Sequence, residues 1–226
     1  MIMQPFLKFI AVALISCQAI SGQRLSIPEN YTIVDSIRGD LNKDGIDELV
    51  VAYTTAVENE ETLESVPREL IIYQKEGNAW VIWKKSTKAL YGSRDGGMMG
   101  DPFGEIEIKK GLLLISQNGG SSWKWGHTDT YRYQEGAFYL IGYSSNYGKP
   151  CEYWTDVDFN LSTGKMMVKK EYENCEADDE QEIYKRENET IYKKGLRITL
   201  ENRNEKELKI VTQKYKHEIY IATGSE

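Results

Sequence analysis

The feature that most limits the fold is punctuation. Through residues 48–143 no apolar run lasts long enough for a helix before glycine, asparagine or a charged pair interrupts it. The runs 48–53, 69–74, 79–84, 105–109, 112–117, 128–134 and 137–143 are short and rich in β-branched and aromatic residues, which pack well on a pleated surface. Turns at Lys75-Glu76-Gly77-Asn78, Lys110-Gly111 and Glu135-Gly136 separate them. Strict alternation in Glu105-Ile106-Glu107-Ile108 and through 128–133 predicts sheets with one wet face. No window carries a sustained helical stripe. The nearest helical candidate is 174–185, whose charge density reads equally as an exposed linker. Beyond it, 196–200, 208–212 and 218–222 predict three further strands, while the acidic segment 56–68 reads as an exposed excursion between two strands. The expectation is an all-β chain: an antiparallel meander of short strands, propeller-like or sandwich-like. With 226 residues, one large β domain buries enough surface to fold.

One hairpin is specified in detail. YWTDVDFNL and KMMVKKEY flank Ser162-Thr163-Gly164, two alternating runs around a glycine turn. Folding them about that turn sets Phe159 opposite Met166, Val157 opposite Val168 and Tyr153 opposite Tyr172. Cys151 and Cys175 then face each other at the open end to within one residue, a slip that a single bulge absorbs. Facing strand residues lie within disulfide reach, so a Cys151–Cys175 bridge is expected, contributing on the order of 3 kcal/mol in the chain-entropy model.

A bridge needs an oxidising compartment, and the first residues agree with export. MIMQPFLKFIAVALISCQAISGQ places Lys8 before a short apolar run and then small and polar residues, a signal-peptide layout over 1–22 that is too short to span a bilayer. Leu14-Ile15-Ser16-Cys17 resembles the bacterial lipoprotein processing box, in which Cys17 is lipidated; cleavage after Ser21 or Gly22 is the rival. The expected location is periplasmic, outer-membrane lipid-anchored or secreted, with membrane contact only through such a lipid. The organisation that follows is a main β domain over 23–175 and a linker with C-terminal strands over 176–226, part of the same domain.

The loop GDLNKDGIDELVVAY carries the clearest chemistry. From Asp40, side-chain oxygens recur at alternate positions in Asp40, Asn42 and Asp44, Gly45 supplies a sharp turn, Ile46 offers its carbonyl, and Glu48 follows. Hard cations such as calcium take six to eight oxygen ligands from flexible loops of this kind, and alternate spacing lets the backbone wrap the ion. An EF-hand requires a bidentate glutamate where this chain has Val51. The loop runs into a strand instead. That arrangement resembles the FG-GAP or VCBS type of calcium loop found in β-propeller blades; the resemblance implies Asp40, Asn42, Asp44 and Glu48 as side-chain ligands and Ile46 as a carbonyl ligand. Only one copy is present, and Asp156-Val157-Asp158 lacks the glycine for a second. More widely, GGMMGDPFGEIEIKKG and NGGSSWKWGHTDTYRY look like motifs of uncharacterised exported bacterial proteins that carry one such loop. That likeness covers 40–143 and implies no activity.

Two readings of the second motif stand side by side. Trp123 and Trp125, with His127 near them, form either a ligand platform on which sugar rings or peptide side chains stack, or core packing on one strand face beside glycines that make a bulge. A formal charge of −7 without a basic stripe excludes a nucleic-acid backbone as partner. Enzymatic chemistry finds little support: the only histidines are His127 and His217, and no nucleophile elbow or phosphate loop occurs. The carboxylates Asp95 with Asp101, or Asp156 with Asp158, are the pairs a hydrolase can use, and Asp-Pro at 101–102 reads first as a turn. The function expected is thus a calcium-stabilised exported binding or structural module, with a glycan or cell-surface polymer as the candidate partner. The alternative is a carboxylate-based or metal-dependent hydrolase acting on cell-surface polymers.

Overall fold

In the computed structural model the described residues are 25–57, 64–175, 181–204 and 208–221. The signal-peptide reading of 1–22 and the lipidation of Cys17 lie outside them. The described residues form thirteen antiparallel strands, one 3-10 turn at Gly97–Met99 and no α-helix.

Four strands form the first sheet in chain order: β1 (Thr32–Gly39), β2 (Glu48–Thr54), β3 (Arg68–Glu76) and β4 (Ala79–Ser86). The second sheet has seven: β5 (Phe103–Lys109), β6 (Leu112–Gly120), β7 (Lys124–Gln134), β8 (Ala137–Lys149), β9 (Tyr153–Asn160), β10 (Lys165–Cys175) and β11 (Gln181–Tyr192). A separate hairpin pairs β12 (Leu208–Val211) with β13 (Glu218–Ile221). Within each sheet every strand neighbours the next in sequence, the meander that the short runs predict, and neither large sheet closes into a barrel.

One apolar cluster joins the sheets: Val50, Ala52, Leu70 and Ile72 from the first pack with Leu113, Ile115, Tyr131, Phe138 and Phe159 from the second. Each fully buried side chain of this kind contributes roughly 1.5–3 kcal/mol. The other face of β2 and β3 has its own cluster, Leu49, Val51, Tyr53, Ile71 and Tyr73, covered by Leu25 and Tyr31. With both faces covered, β2 is buried from end to end. Its unbroken run LVVAY therefore reads as continuous rather than alternating. Beside it, Gly39 lies so close to Ile108 that a Cβ there would stand 2.7 Å from the isoleucine Cγ2, and this packs the end of β1 against β5.

The β9–β10 hairpin has the expected register: Phe159 pairs with Met166, Val157 with Val168 and Tyr153 with Tyr172. Cys151 and Cys175 are bridged, with Cα atoms 5.1 Å apart. The one-residue slip is taken up in the turn before β9, where Cys151 adopts a left-handed φ of 65°.

Three expectations are corrected. The described part of 174–185 is strand rather than helix or linker: β10 runs to Cys175 and β11 starts at Gln181 as an edge strand of the seven-stranded sheet, with 176–180 outside the described residues. Residues 196–200 form no strand of their own. They lie along β8 through Leu140 N–H to the Ile198 carbonyl and Leu200 N–H to the Phe138 carbonyl. The chain also has a strand, β1, where none is expected from its residues.

Candidate functional site

Strand β7 organises the site. Side chains of a strand alternate between faces, so Trp123, Trp125, His127, Asp129 and Tyr131 line up on the inner face of the seven-stranded sheet. Across β8 and β9, Tyr143, Tyr147, Tyr153 and Thr155 share that face. Residues 91–95, Arg203 and the β12–β13 hairpin arch over it and enclose a cleft of about 800 Å³. Trp125 and His127 line it directly, each half-buried. Trp123 stands at its edge, stacked on Tyr147 at 5.5 Å with an 11° tilt between the planes. Trp125 stacks on His127 at 5.9 Å, and Tyr91 meets Trp125 edge-on at 5.5 Å. These indoles thus neither fill the apolar core nor stand on a flat sheet; they form the wall of a concavity.

The glycines that flank them serve close approach rather than flexibility. A Cβ on Gly119 would meet the Trp125 ring at 2.7 Å and the Gly96 backbone at 2.8 Å. Gly120 N–H donates to the Gly96 carbonyl at 2.8 Å. The two glycine-rich motifs therefore lock together backbone to backbone. Gln117, buried on β6, holds the next residues of the same loop: its Oε1 accepts from Tyr91 N–H at 2.8 Å and its Nε2 donates to the Ala89 carbonyl at 3.2 Å. That clamp fixes Tyr91 against the indole.

At the inner end of the row Asp129 and Arg203 form a buried two-pronged ion pair, with Nε to Oδ2 at 2.6 Å and Nη2 to Oδ1 at 3.1 Å. Tyr131 donates its hydroxyl to Asp129 at 2.9 Å. Burial alone pushes the Asp129 carboxyl up, but Arg203 and His127 together hold it below its ordinary value. Burial lowers the His127 imidazole, partly opposed by Asp129, so the ring is neutral at neutral pH. Burial also pushes the Tyr143 phenol up to about 12.

At the opposite side Glu187, on β11, gathers several partners. Lys185 Nζ lies 2.7 Å from Oε1, and the Tyr172 hydroxyl donates to Oε2 at 2.9 Å. His217 Nε2 approaches Oε2 to 3.0 Å but off the line of a hydrogen bond, so that contact is proximity rather than donation.

The carboxylate pairs expected of a hydrolase do not share the cleft. Asp101 is held by Arg68 through two contacts, at 2.6 and 2.5 Å, and Asp156 and Asp158 point to the exposed face of β9, where Asn146 donates to Asp156. Asp95 borders the cleft and accepts from Gly92 N–H at 2.7 Å.

The loop over 40–48 folds inward on its own oxygens. Asp40 accepts from Lys43 N–H at 2.6 Å and from Gly45 N–H at 2.9 Å, Asn42 from Asp44 N–H, and Asp44 from Ile46 N–H. Left-handed Lys43 and Gly45, at φ 67° and 84°, make the reversals. Buried Glu48 accepts from Leu41 N–H at 2.8 Å, and the Asn42 amide nitrogen sits between Asp44 Oδ2 at 2.9 Å and Glu48 Oε1 at 3.0 Å. Burial, with the charges of Asp44 and Asp40 adding to it, raises the Glu48 carboxyl against the backbone bonds that lower it. Among the described residues no three His, Cys, Asp or Glu side chains group as a metal-holding set. Here the fourth oxygen donor is an amide, and Asp40 directs both its oxygens to backbone N–H groups. The donor chemistry nonetheless fits a hard cation: the Asp44 and Glu48 carboxylates meet across the Asn42 amide nitrogen, the positive end of an N–H dipole standing between their oxygens, and the Asp40 charge is near enough to act on Glu48.

No known protein family and no curated protein matches the chain.

Proposed function

We propose that the protein is an exported, calcium-stabilised binding module whose aromatic cleft takes a saccharide unit of a cell-surface polymer. The observation that carries this reading is the wall of Trp125, Tyr147 and Tyr153, with Trp123 stacked at its edge, around a concavity of about 800 Å³. Ligand sites of this size are concave, mostly apolar and furnished with a few placed polar groups, and flat ring faces suit the C–H faces of sugars. Thr155 and Ser145 supply neutral polar groups beside the rings. In the loop, Asp40, Asn42, Asp44 and Glu48 with the carbonyl of Ile46 are the residues that would hold calcium, in the manner of an FG-GAP or VCBS loop. The ion supplies charge neutralisation for the crowded carboxylates. Export agrees with the Cys151–Cys175 bridge, which persists in an oxidising compartment.

Tryptophan fluorescence titration with a panel of oligosaccharides tests the cleft. A saturable change is expected, lost in Trp125→Ala while the thermal transition stays cooperative. A flat response to every glycan refutes the proposal.

A further inference from the structure

Lys170 lies on β10 directly opposite Glu187 in the strand register, yet the two do not form an ion pair. Glu187 is already occupied by Lys185, Tyr172 and the nearby His217 ring. The Lys170 ammonium rests instead on ring faces, 3.5 Å from the centroid of Tyr153 and 5.0 Å from that of Tyr172. The other carboxylates of the cleft are also engaged. Glu218 binds Lys209 at 2.7 Å and the Tyr220 hydroxyl at 2.6 Å, Asp129 holds Arg203, and Asp95 accepts from Gly92 N–H. Asp95 is met by a backbone N–H and by no cation, so among the described residues the cleft lining is left with that one unpaired anion against two unpaired cations, Lys170, half-buried, and Lys216, at the rim. They stand out in a chain of net charge −7.

An ammonium partly withdrawn from water gains most from an anion that reaches it inside the cleft, because a charge-assisted bond strengthens as competing water is excluded. Burial lowers the Lys170 amine, Glu187 opposing and Lys185 adding to the effect, which agrees with a cation short of solvation. Tyr153 both carries Lys170 and faces the cleft, so a ring lying on the aromatic wall sets a substituent within reach of the ammonium.

We propose that the cleft selects an anionic saccharide, the sugar ring on the aromatic wall and its acidic group on Lys170. This rests on the reading of the cleft as a saccharide site. The test is an array of matched glycans, carboxylated, sulfated and neutral, probed with the full chain, followed by calorimetric titration of the ligands retained. Acidic glycans are expected to bind and their neutral counterparts to bind about tenfold more weakly or not at all. Lys170→Met, which keeps the aliphatic stem on the tyrosines, removes that preference. Lys169→Met, on the outer face and paired with Glu171, leaves it intact. Added KCl weakens the acidic complex of the unaltered protein, a readout that holds even if Lys170→Met fails to fold. The carboxylated and sulfated arms identify which acid is bound. Retention of neutral glycans alone, equal affinity for acid and neutral forms, or indifference to KCl overturns the selection while leaving the saccharide site standing. Retention of no glycan overturns both.

Discussion

Asp129→Asn takes one charge out of a pair that water hardly reaches. The side chains of Arg203 and Asp129 are 3% and 1% exposed, and the carboxylate receives two guanidinium contacts and the Tyr131 hydroxyl. The substitution keeps the shape but leaves the guanidinium buried and uncompensated, a loss of about 3–5 kcal/mol. For a chain of this size each kcal/mol lowers the midpoint by about 2–4 °C, so a fall of about 6–20 °C is expected in calorimetry. The contrasting surface pair Arg197–Glu135, 72% and 67% exposed, sets the baseline: Glu135→Gln costs less than about 1 kcal/mol. The pH dependence has a definite sign. The folded Asp129 carboxyl is held below its unfolded value, so its contribution is complete above the ordinary carboxylate range and is lost as pH falls through the folded value. The gap between the native protein and Asp129→Asn therefore closes on acidification. A double variant, Asp129→Asn with Arg203→Met, removes both charges and recovers most of the loss, because what is costly is the orphaned partner. A fall of under about 1 kcal/mol for Asp129→Asn, or a double variant as damaged as the sum of the single ones, refutes the reasoning.

Calcium at a hundredfold excess over its dissociation constant should stabilise the fold by about 2.7 kcal/mol, or roughly 5–10 °C in the midpoint, with EDTA reversing it and Asp44→Ala abolishing it. In EDTA the raised Glu48 carboxyl makes the fold more stable as pH drops from neutral toward the carboxylate range, and calcium reverses that slope. Replacing Cys151 and Cys175 with serine should lower stability on denaturant titration by on the order of 3 kcal/mol, for a bridge spanning 24 residues. Gln117→Ala should cost about 1–3 kcal/mol by leaving Tyr91 N–H and the Ala89 carbonyl without their partner, and should weaken saccharide binding with Tyr91 released.

Much of this architecture could be read from the residues because it is local. The β9–β10 register follows from alternation about one glycine turn, and the pairs Phe159 with Met166 and Val157 with Val168 stand where symmetry put them. The loop over 40–48 reverses at left-handed Gly45, where the sequence places a sharp turn. Strand β1 escaped notice because TIVDSIRG is half polar and carries a register shift between Ile33 and Asp35 that breaks the period. Strand β11 escaped because its inner face places Lys185, Glu187 and Glu189 toward a polar end of the sheet rather than the core, so its charges resembled a linker. The cleft was legible only in its β7 wall. Arg203 and His217 reach it from the run ENRNEK and from the β12–β13 turn, and nothing in those stretches announces a partner so far away in the chain.

The order of construction has a corollary for biogenesis. The seven strands that make the trough succeed one another in the chain, each hydrogen-bonded to its predecessor, whereas Arg203 and the β12–β13 hairpin follow all of them. During vectorial emergence the aromatic floor is laid down first and stays uncovered until the roof arrives. A nascent chain halted before Arg203 would display those rings to solvent with Asp129 still lacking its cation, an adhesive intermediate that the finished molecule conceals.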